Sequence, residues 1–228
     1  MQVFLPRDDG ALADGLRATG AEVFCQPVQE VVDLPLAGPL PEADWVAVTS
    51  ANTVQCLARR GVRLPEGARV AAVGAATAKA LEAAGYVVDL IPEGESSGRA
   101  LAAAFPDGPG RVLIPGSKLS SPTLADGLRA KGWTVDVVPI YTMAALDSVP
   151  DEALRAWGSG QFDIVVVTSG SVGRAFDALL EWRDDVRVVA FGEPSRRALD
   201  AAGVPVAATA ATQDVAGLVE AIGGIHES

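Results

Sequence analysis

Short apolar runs, many of them rich in Val and Ile, alternate with Ala- and Leu-rich stretches along the whole chain. The runs are nearly continuous, which is typical of strands in a parallel sheet that helices cover on both faces. The pattern therefore predicts an α/β fold of repeated β-α-β units. The predicted strands lie at residues 3–6, 22–28, 45–50, 69–74, 86–92, 111–116, 134–141, 163–169, 186–192 and 204–210.

Internal repeats run through this pattern. The segment LADGLRATGAEV at 12–23 returns as LADGLRAKGWTV at 124–135, with nine of twelve positions identical. Two further pairs follow, 44–50 with 163–169 and 74–85 with 192–203. Self-similarity of this extent indicates two copies of one α/β design.

Two stretches interrupt the rhythm, one rich in Pro and one that follows the predicted strand at 134–141. Such stretches are candidate linkers, and their positions predict that the chain crosses between two domains twice. The predicted parts are a discontinuous domain 1 at 1–32 and 150–228, domain 2 at 38–142, and interdomain linkers at 33–37 and 143–149.

Composition narrows the classes of protein. The chain has 228 residues and a formal net charge of −11, which argues against nucleic acid or anionic lipid as a partner. No apolar run reaches the roughly eighteen residues of a membrane span. The first predicted strand directly follows Met1, so we expect no secretory signal and a cytoplasmic location. Cys25 and Cys56 fall in a predicted strand and a predicted helix, and we expect two free thiols.

Small polar or glycine turns follow several predicted strands and open the next helix. Helix starts at the carboxyl edge of a parallel sheet bind carboxylates or phosphates, so the turns together predict an anion-binding edge in each domain. For any one turn taken alone, simple N-capping is the better explanation. The glycines form no dinucleotide or P-loop fingerprint, which weakens a nucleotide site. The turn residues are Thr49, Ser50, Asn52, Gly74, Thr77, Gly116, Ser117, Thr168, Ser169, Gly170, Gly192 and Ser195.

Few residue types remain for catalysis. The sole histidine, His226, is the third residue from the end of the sequence, and no cluster of Cys, His or carboxylates has metal-ligand spacing. Metal catalysis and a Ser-His-Asp triad are therefore disfavoured. Tyr141 ends the strand predicted at 134–141, where it either packs at the seam between domains or donates a proton.

At this point the chain resembles the uroporphyrinogen-III synthase family over essentially its whole length. The resemblance rests on the order and spacing of short motifs, since each is weak alone. They are the opening strand with Arg7, Thr49-Ser50-x-Asn52-x-Val54, V-G-x-x-T-A-x-A-L at 73–81, the L-x-x-x-L-x-x-x-G block that ends in Val138-x-x-Tyr141, Thr168-Ser169, and F-G-x-x-S-x-x-A-L-x-x-x-G at 191–203.

The resemblance implies two similar α/β domains joined by a two-stranded linker, with substrate held in the cleft largely by main-chain amides. It implies a cyclising hydro-lyase that converts hydroxymethylbilane to uroporphyrinogen III, losing water and inverting ring D, with no cofactor and no metal. Tyr141 would donate the proton, Thr77 and Ser195 would contact the reacting rings, and Arg7 would assist. Many relatives carry Arg-Glu after the glycine turn where this chain has Lys118, which would substitute for the guanidinium.

Two other classes stay open at this stage. A non-enzymatic two-lobed protein that binds a small anionic ligand has the same architecture, and a nucleotide-dependent enzyme also uses doubly wound sheets. We expect a monomer, because one chain already supplies two facing surfaces. Only a synthase would form the type III isomer in excess over the spontaneous type I.

Overall fold

A computed structural model describes residues 1–225 of the chain, so His226 lies outside the described residues. The model has the predicted α/β fold, with strands that alternate with helices from the first residues onward. The strands are β1 (Gln2–Leu5), β2 (Glu22–Cys25), β3 (Gln29–Asp33), β4 (Trp45–Val48), β5 (Arg69–Ala72), β6 (Arg111–Ser117), β7 (Thr134–Ala145), β8 (Ile164–Val167), β9 (Arg187–Ala190) and β10 (Ala208–Thr209).

Most helices are short and amphipathic, with their buried residues on one face, as expected for helices that cover a sheet. In α2, for example, Val54 and Leu57 are buried three residues apart. The helices are α1 (Ala11–Arg17), α2 (Ala51–Arg59), α3 (Ala75–Ala83), α4 (Gly98–Ala104), α5 (Thr123–Ala130), α6 (Asp151–Gly158), α7 (Gly170–Leu180), α8 (Glu193–Ala201) and α9 (Val215–Ile225). None of the helices within residues 1–225 is long and apolar enough to cross a membrane.

The chain divides into two compact units. Unit 1 contains Met1–Glu30 and the chain from Ala144 onward, and unit 2 contains Val31–Met143. Within residues 1–225, one sheet has the strand order β10-β9-β8-β1-β2 and the other the order β3-β7-β6-β4-β5. The predicted fold class, two α/β domains whose mainly parallel sheets are flanked by helices, is confirmed.

The two sheets share one topology. The repeats pair α1 and β2 with α5 and β7, β4 with β8, and α3 with α8. In both sheets the paired strands stand in the same spatial order, β9-β8-β1-β2 in unit 1 and β5-β4-β6-β7 in unit 2. Along the chain, however, unit 2 runs β4-β5-β6-β7 whereas unit 1 begins with β1-β2, so the two units are circular permutants of one design.

The strands β3 and β7 contain the points where the chain passes between units. They are neighbours in the sheet, and the amide of Leu34 donates to the carbonyl of Ile140 at 2.9 Å. The amide of Leu146 donates to the carbonyl of Val28 at 3.0 Å. Because the partner numbers run in opposite directions, this pair is antiparallel, unlike the parallel ladders of β4 to β7.

Each sheet has apolar side chains packed on both faces. On one face of unit 1, the ring of Phe4 meets Phe24, Trp157, Phe162 and Phe176 at centroid distances of 5.1–5.5 Å. Three of these four contacts are edge-to-face, the geometry that aromatic quadrupoles favour. The aromatic cluster fixes β1, and therefore the start of the chain segment that carries Arg7.

Two local predictions were wrong. Residues 86–92 form no strand; Asp89 and Leu90 share backbone hydrogen bonds with β5 around one bridge between Ala71 and Leu90, which stands where β10 stands in the other unit. Gly116 does not open a helix, because β6 continues through Ser117 and α5 begins at Thr123.

Candidate active site

The carboxyl edge of unit 2 is built from the ends of β5, β4, β6 and β7, which stand side by side in that order. After β4 the chain turns through Thr49 and Ser50 into α2. Ser50 is the N-cap of this helix, and its Oγ accepts a hydrogen bond from the amide of Asn52 at 3.1 Å. Capping therefore fixes the turn, while both residues stay half-buried at the edge.

The turn after β6 brings two predicted residues together. The amide of Lys118 donates to the carbonyl of Tyr141 at 2.8 Å, and Ser117 pairs with Tyr141 in the register of β6 and β7. Ser117 Oγ accepts from the amide of Leu119 at 3.1 Å, which holds the turn. The side chain of Lys118 is exposed at this edge.

Tyr141 has a buried ring and an uncommitted hydroxyl. The residue is 4% exposed and belongs to the apolar cluster between the sheet and the helices α2 and α3. Among residues 1–225 its hydroxyl has no hydrogen-bond partner, whereas the hydroxyl of Tyr86 accepts from the amide of Leu64 at 3.2 Å. The structure thus leaves the phenol of Tyr141 available for another group.

Gly74 caps α3 after β5, and Thr77 lies in the first turn of that helix. Gly74 has an extended backbone that any residue adopts, but a Cβ there would overlap the side chain of Ser96. Glycine is therefore required by close approach, because Ser96 lies directly over its Cα. Thr77 is 5% exposed, and no described residue hydrogen-bonds its hydroxyl.

The corresponding edge of unit 1 begins with the turn after β8. Ser169 caps α7 by accepting from the amide of Val172 at 3.3 Å, and its Oγ lies 3.0 Å from Ser171 Oγ. Ser171 in turn donates to the side chain of Gln29. A Cβ on Gly170 would stand 2.5 Å from the Cβ of Ala198, so the close packing of α7 on α8 independently requires glycine there.

Gly192 and Ser195 repeat the arrangement of Gly74 and Thr77. Gly192 has a φ of +150°, and a Cβ there would lie 2.7 Å from Nε2 of Gln213. Both the backbone conformation and the contact therefore favour glycine. Ser195 is 1% exposed in the first turn of α8. Gln213 corresponds to Ser96, since each directly precedes the residue that caps the following helix.

Each edge also carries one cation just after a central strand. Arg7 follows β1 in unit 1 and Lys118 follows β6 in unit 2, and these two strands are equivalent in the repeat. Both residues are exposed. Within residues 1–225 neither forms an ion pair, while eight other arginines do.

Hydroxyls are the buried polar side chains at these edges. Within residues 1–225 the buried polar residues are Thr53, Thr77 and Ser195. Each stands three residues after the cap of its helix, in α2, α3 and α8 respectively. Thr53 was missed by sequence reasoning, although the spacing that it shares with Thr77 and Ser195 is readable in the sequence.

Titratable groups beside the edges are tuned by hydrogen bonds. The thiol of Cys56 and the guanidinium of Arg59 both donate to Asp33 and lower the pKa of its carboxyl. The amide of Gly217 donates to Asp214 at 2.8 Å and lowers the pKa of that carboxyl. Burial raises the pKa of Cys56, and both cysteines are free. These thiols are poorly suited to act as nucleophiles.

Fold and site together define a class of protein: a duplicated α/β protein whose two parallel sheets each present capped helix starts, buried hydroxyls and one cation at the carboxyl edge. Residues 10–220 match the model of the family described as uroporphyrinogen-III synthase HemD. Because this match covers most of the chain, the chain belongs to that family, and the resemblance seen in the sequence is confirmed.

Two relatives of known name are consistent with this family assignment. The porphyrin biosynthesis protein HemD of Ruminiclostridium josui is 29% identical over 188 residues, which cover 75% of this chain and 37% of that protein. The chain thus spans little more than a third of that relative's length. The uroporphyrinogen-III synthase of Synechococcus elongatus is 29% identical over 185 residues, which cover 72% of this chain and 68% of that protein.

Solved structures show the same fold. Uroporphyrinogen-III synthetase from Helicobacter pylori superposes with a TM-score of 0.68 at 15% identity, covering 98% of this chain and 99% of that one. A mutant uroporphyrinogen III synthase from Thermus thermophilus gives a TM-score of 0.53 at 19% identity, covering 100% and 99%. At these identities the likeness concerns the fold alone.

Proposed function

We propose that this chain is a uroporphyrinogen-III synthase, a lyase that cyclises hydroxymethylbilane to uroporphyrinogen III with loss of water and inversion of ring D. The observation that carries the proposal is the family match over residues 10–220. The two carboxyl edges support it, because each offers donors suited to the carboxylates of a linear tetrapyrrole. No cofactor is needed for this reaction.

The protein and its proposed substrate are both negatively charged, so binding must overcome electrostatic repulsion. The chain has a net charge of −11, and its substrate carries eight carboxylates. Amides at the starts of α2, α3, α7 and α8 carry partial positive charge and point along the helix axes toward the edges. Arg7 and Lys118, which have no ion-pair partner among the described residues, add one full charge to each unit. Local donors thus offset an unfavourable net charge.

Tyr141 is the proposed proton donor. Its phenol protonates the hydroxyl of the hydroxymethyl group, the carbon–oxygen bond breaks, and water leaves as the pyrrole nitrogen supplies the electrons. The azafulvene that results is attacked by the substituted carbon of ring D to give a spiro intermediate, and rearrangement inverts the ring. The proton released when the macrocycle forms balances the one that Tyr141 gave.

Orientation matters more than acceleration in this reaction, because spontaneous closure gives the uninverted type I isomer. Thr77 and Ser195 are buried at equivalent places in the two units, and their hydroxyls lack partners among residues 1–225. We assign to them polar contacts near the reacting rings. A rigid set of donors lowers the entropy cost of bringing the two ends of the substrate together.

The test is product analysis. Hydroxymethylbilane is incubated with the purified protein, the products are oxidised, and the porphyrin isomers are separated by chromatography. The proposal predicts the type III isomer in large excess, and heat-denatured protein is the control. An isomer mixture that matches the protein-free reaction would overturn the proposal.

We also propose that the protein is a monomer and is located in the cytoplasm, as expected from the sequence. Sedimentation velocity measures the mass directly, and a species near 23.3 kDa is expected. A stable dimer at micromolar concentration would contradict the monomer.

A further inference from the structure

One buried hydroxyl at the edge of unit 2 has no partner and no assigned role. Thr53 is 0% exposed, and its Oγ1 is buried without a hydrogen-bond partner among residues 1–225. A hydroxyl without a partner in such a place is unfavourable, because it has lost its hydrogen bonds to water. The equivalent place in the first turn of α7 holds Val172, so the fold does not require a hydroxyl there.

Thr53 lies beside Gly116, which two other hydroxyls also approach. A Cβ placed on Gly116 would lie 3.6 Å from Ser120 Oγ, 3.8 Å from Thr49 Oγ1 and 3.9 Å from Thr53 Oγ1. Three hydroxyls therefore converge on one point above the Cα of Gly116. We call Gly116, Thr49, Thr53 and Ser120 the Gly116 niche. Ser120 is exposed, Thr49 is half-buried and Thr53 is fully buried, so the three residues lie at increasing depth.

We infer that the Gly116 niche binds one carboxylate oxygen of the substrate and that Thr53 is a substrate-binding residue at its inner end. The inference rests on the proposed function and adds a residue and a location to it. The hydroxyl of Thr53 donates to the bound oxygen, and Thr49 and Ser120 complete the set of donors. Helix α2 begins beside the niche, so its amides add partial positive charge at the same place.

An anionic oxygen suits the niche because hydroxyls can all donate to it at once, and such charge-assisted hydrogen bonds are stronger than neutral ones. The alternative occupant is a structural water molecule, which needs two to four polar partners and would only provide the hydroxyl of Thr53 with a hydrogen bond. The two occupants differ in one consequence. A carboxylate oxygen links Thr53 to substrate affinity, and a structural water does not.

The experiment compares T53V with T53S and measures KM, kcat and the melting temperature Tm. T53V removes the hydroxyl and keeps the shape, so Tm should stay the same or rise while KM rises at least about tenfold, the loss typical of a hydrogen bond to a charged group. T53S keeps the hydroxyl and should hold KM within about threefold of the parent protein.

A matched control comes from Thr209, whose Oγ1 is also buried without a partner among the described residues but lies in β10. T209V should change Tm in the same direction as T53V and leave KM unchanged. A second probe of the niche is G116A. The methyl group fits at ordinary contact distances but fills the niche, so KM should rise with no loss of Tm.

The outcomes separate the two proposals. If the parent protein forms no excess of type III isomer, the proposed function fails whatever Thr53 does. If the parent protein forms it and T53V keeps the parent KM and kcat, the niche holds at most a structural water and the inference is overturned. A rise in KM for T53V and G116A, with T53S and T209V near the parent, supports the inference.

Discussion

Replacing Tyr141 by Phe removes only the phenolic hydroxyl, so its effect on turnover can be measured apart from any effect on stability. The ring is 4% exposed within an apolar cluster, so Phe keeps nearly all of its packing. The hydroxyl has no partner among residues 1–225, and its removal leaves no donor or acceptor unpaired. The free energy of unfolding should therefore change by less than about 0.5 kcal/mol. Turnover should fall at least about tenfold, which corresponds to roughly 1.4 kcal/mol of barrier.

The second tyrosine provides the matched control. Tyr86 accepts a hydrogen bond from the amide of Leu64 at 3.2 Å, so Y86F leaves that half-buried amide without its partner. The expected cost is about 1 kcal/mol of unfolding free energy, with turnover unchanged. The two variants should thus show opposite patterns, one losing activity and the other losing stability.

The assay is the initial rate of type III isomer formation at saturating substrate, read beside urea unfolding of the same preparation. If Y141F keeps the parent rate, Tyr141 only packs and is removed from the mechanism. If Y141F loses both rate and stability, the hydroxyl makes a structural contact, and the lower rate is no evidence that it donates a proton.

Three further predictions follow from packing and ionisation. G170A should lower the free energy of unfolding by about 1–3 kcal/mol in urea, because its Cβ would stand 2.5 Å from that of Ala198, and adding A198G should restore stability. The lowered pKa of Asp33 means that its ionised form stabilises the fold above the unfolded pKa near 3.9 and that this stability is lost as pH falls through the lower folded pKa. The stability gap between parent and D33N should therefore be full at pH 6 and narrow toward pH 3, and a gap independent of pH would contradict this reading. Burial raises the pKa of Cys56, so mass spectrometry should find it unalkylated by iodoacetamide until denaturant is added.

Much of the fold could be predicted because its signals are local. Runs such as Ile164–Val167 are apolar on both faces and β-branched, and the repeats place their counterparts in the other unit. Residues 86–92 carry the same local signal but stand at a sheet edge, where pairing depends on neighbours. There the hydroxyl of Tyr86 accepts from the amide of Leu64, and the pairing with β5 is limited to Asp89 and Leu90.

The candidate site was predicted less completely for a related reason. Ser50 and Ser169 cap helices through contacts two or three residues away, which a sequence displays directly. The proposed role of Thr53 depends on Gly116, which lies more than sixty residues later in the chain. Because Gly116 has no side chain, three hydroxyls can approach its Cα. Such a contact follows from the pairing of β4 with β6 and becomes visible only in the folded chain.

The proposed synthase activity is measured by the ratio of type III to type I isomer at several protein concentrations, with freshly prepared hydroxymethylbilane as substrate. If the chain is a synthase, the type III fraction rises with protein concentration until the type I isomer is nearly absent. A ratio that stays at the protein-free value at every concentration would contradict this activity.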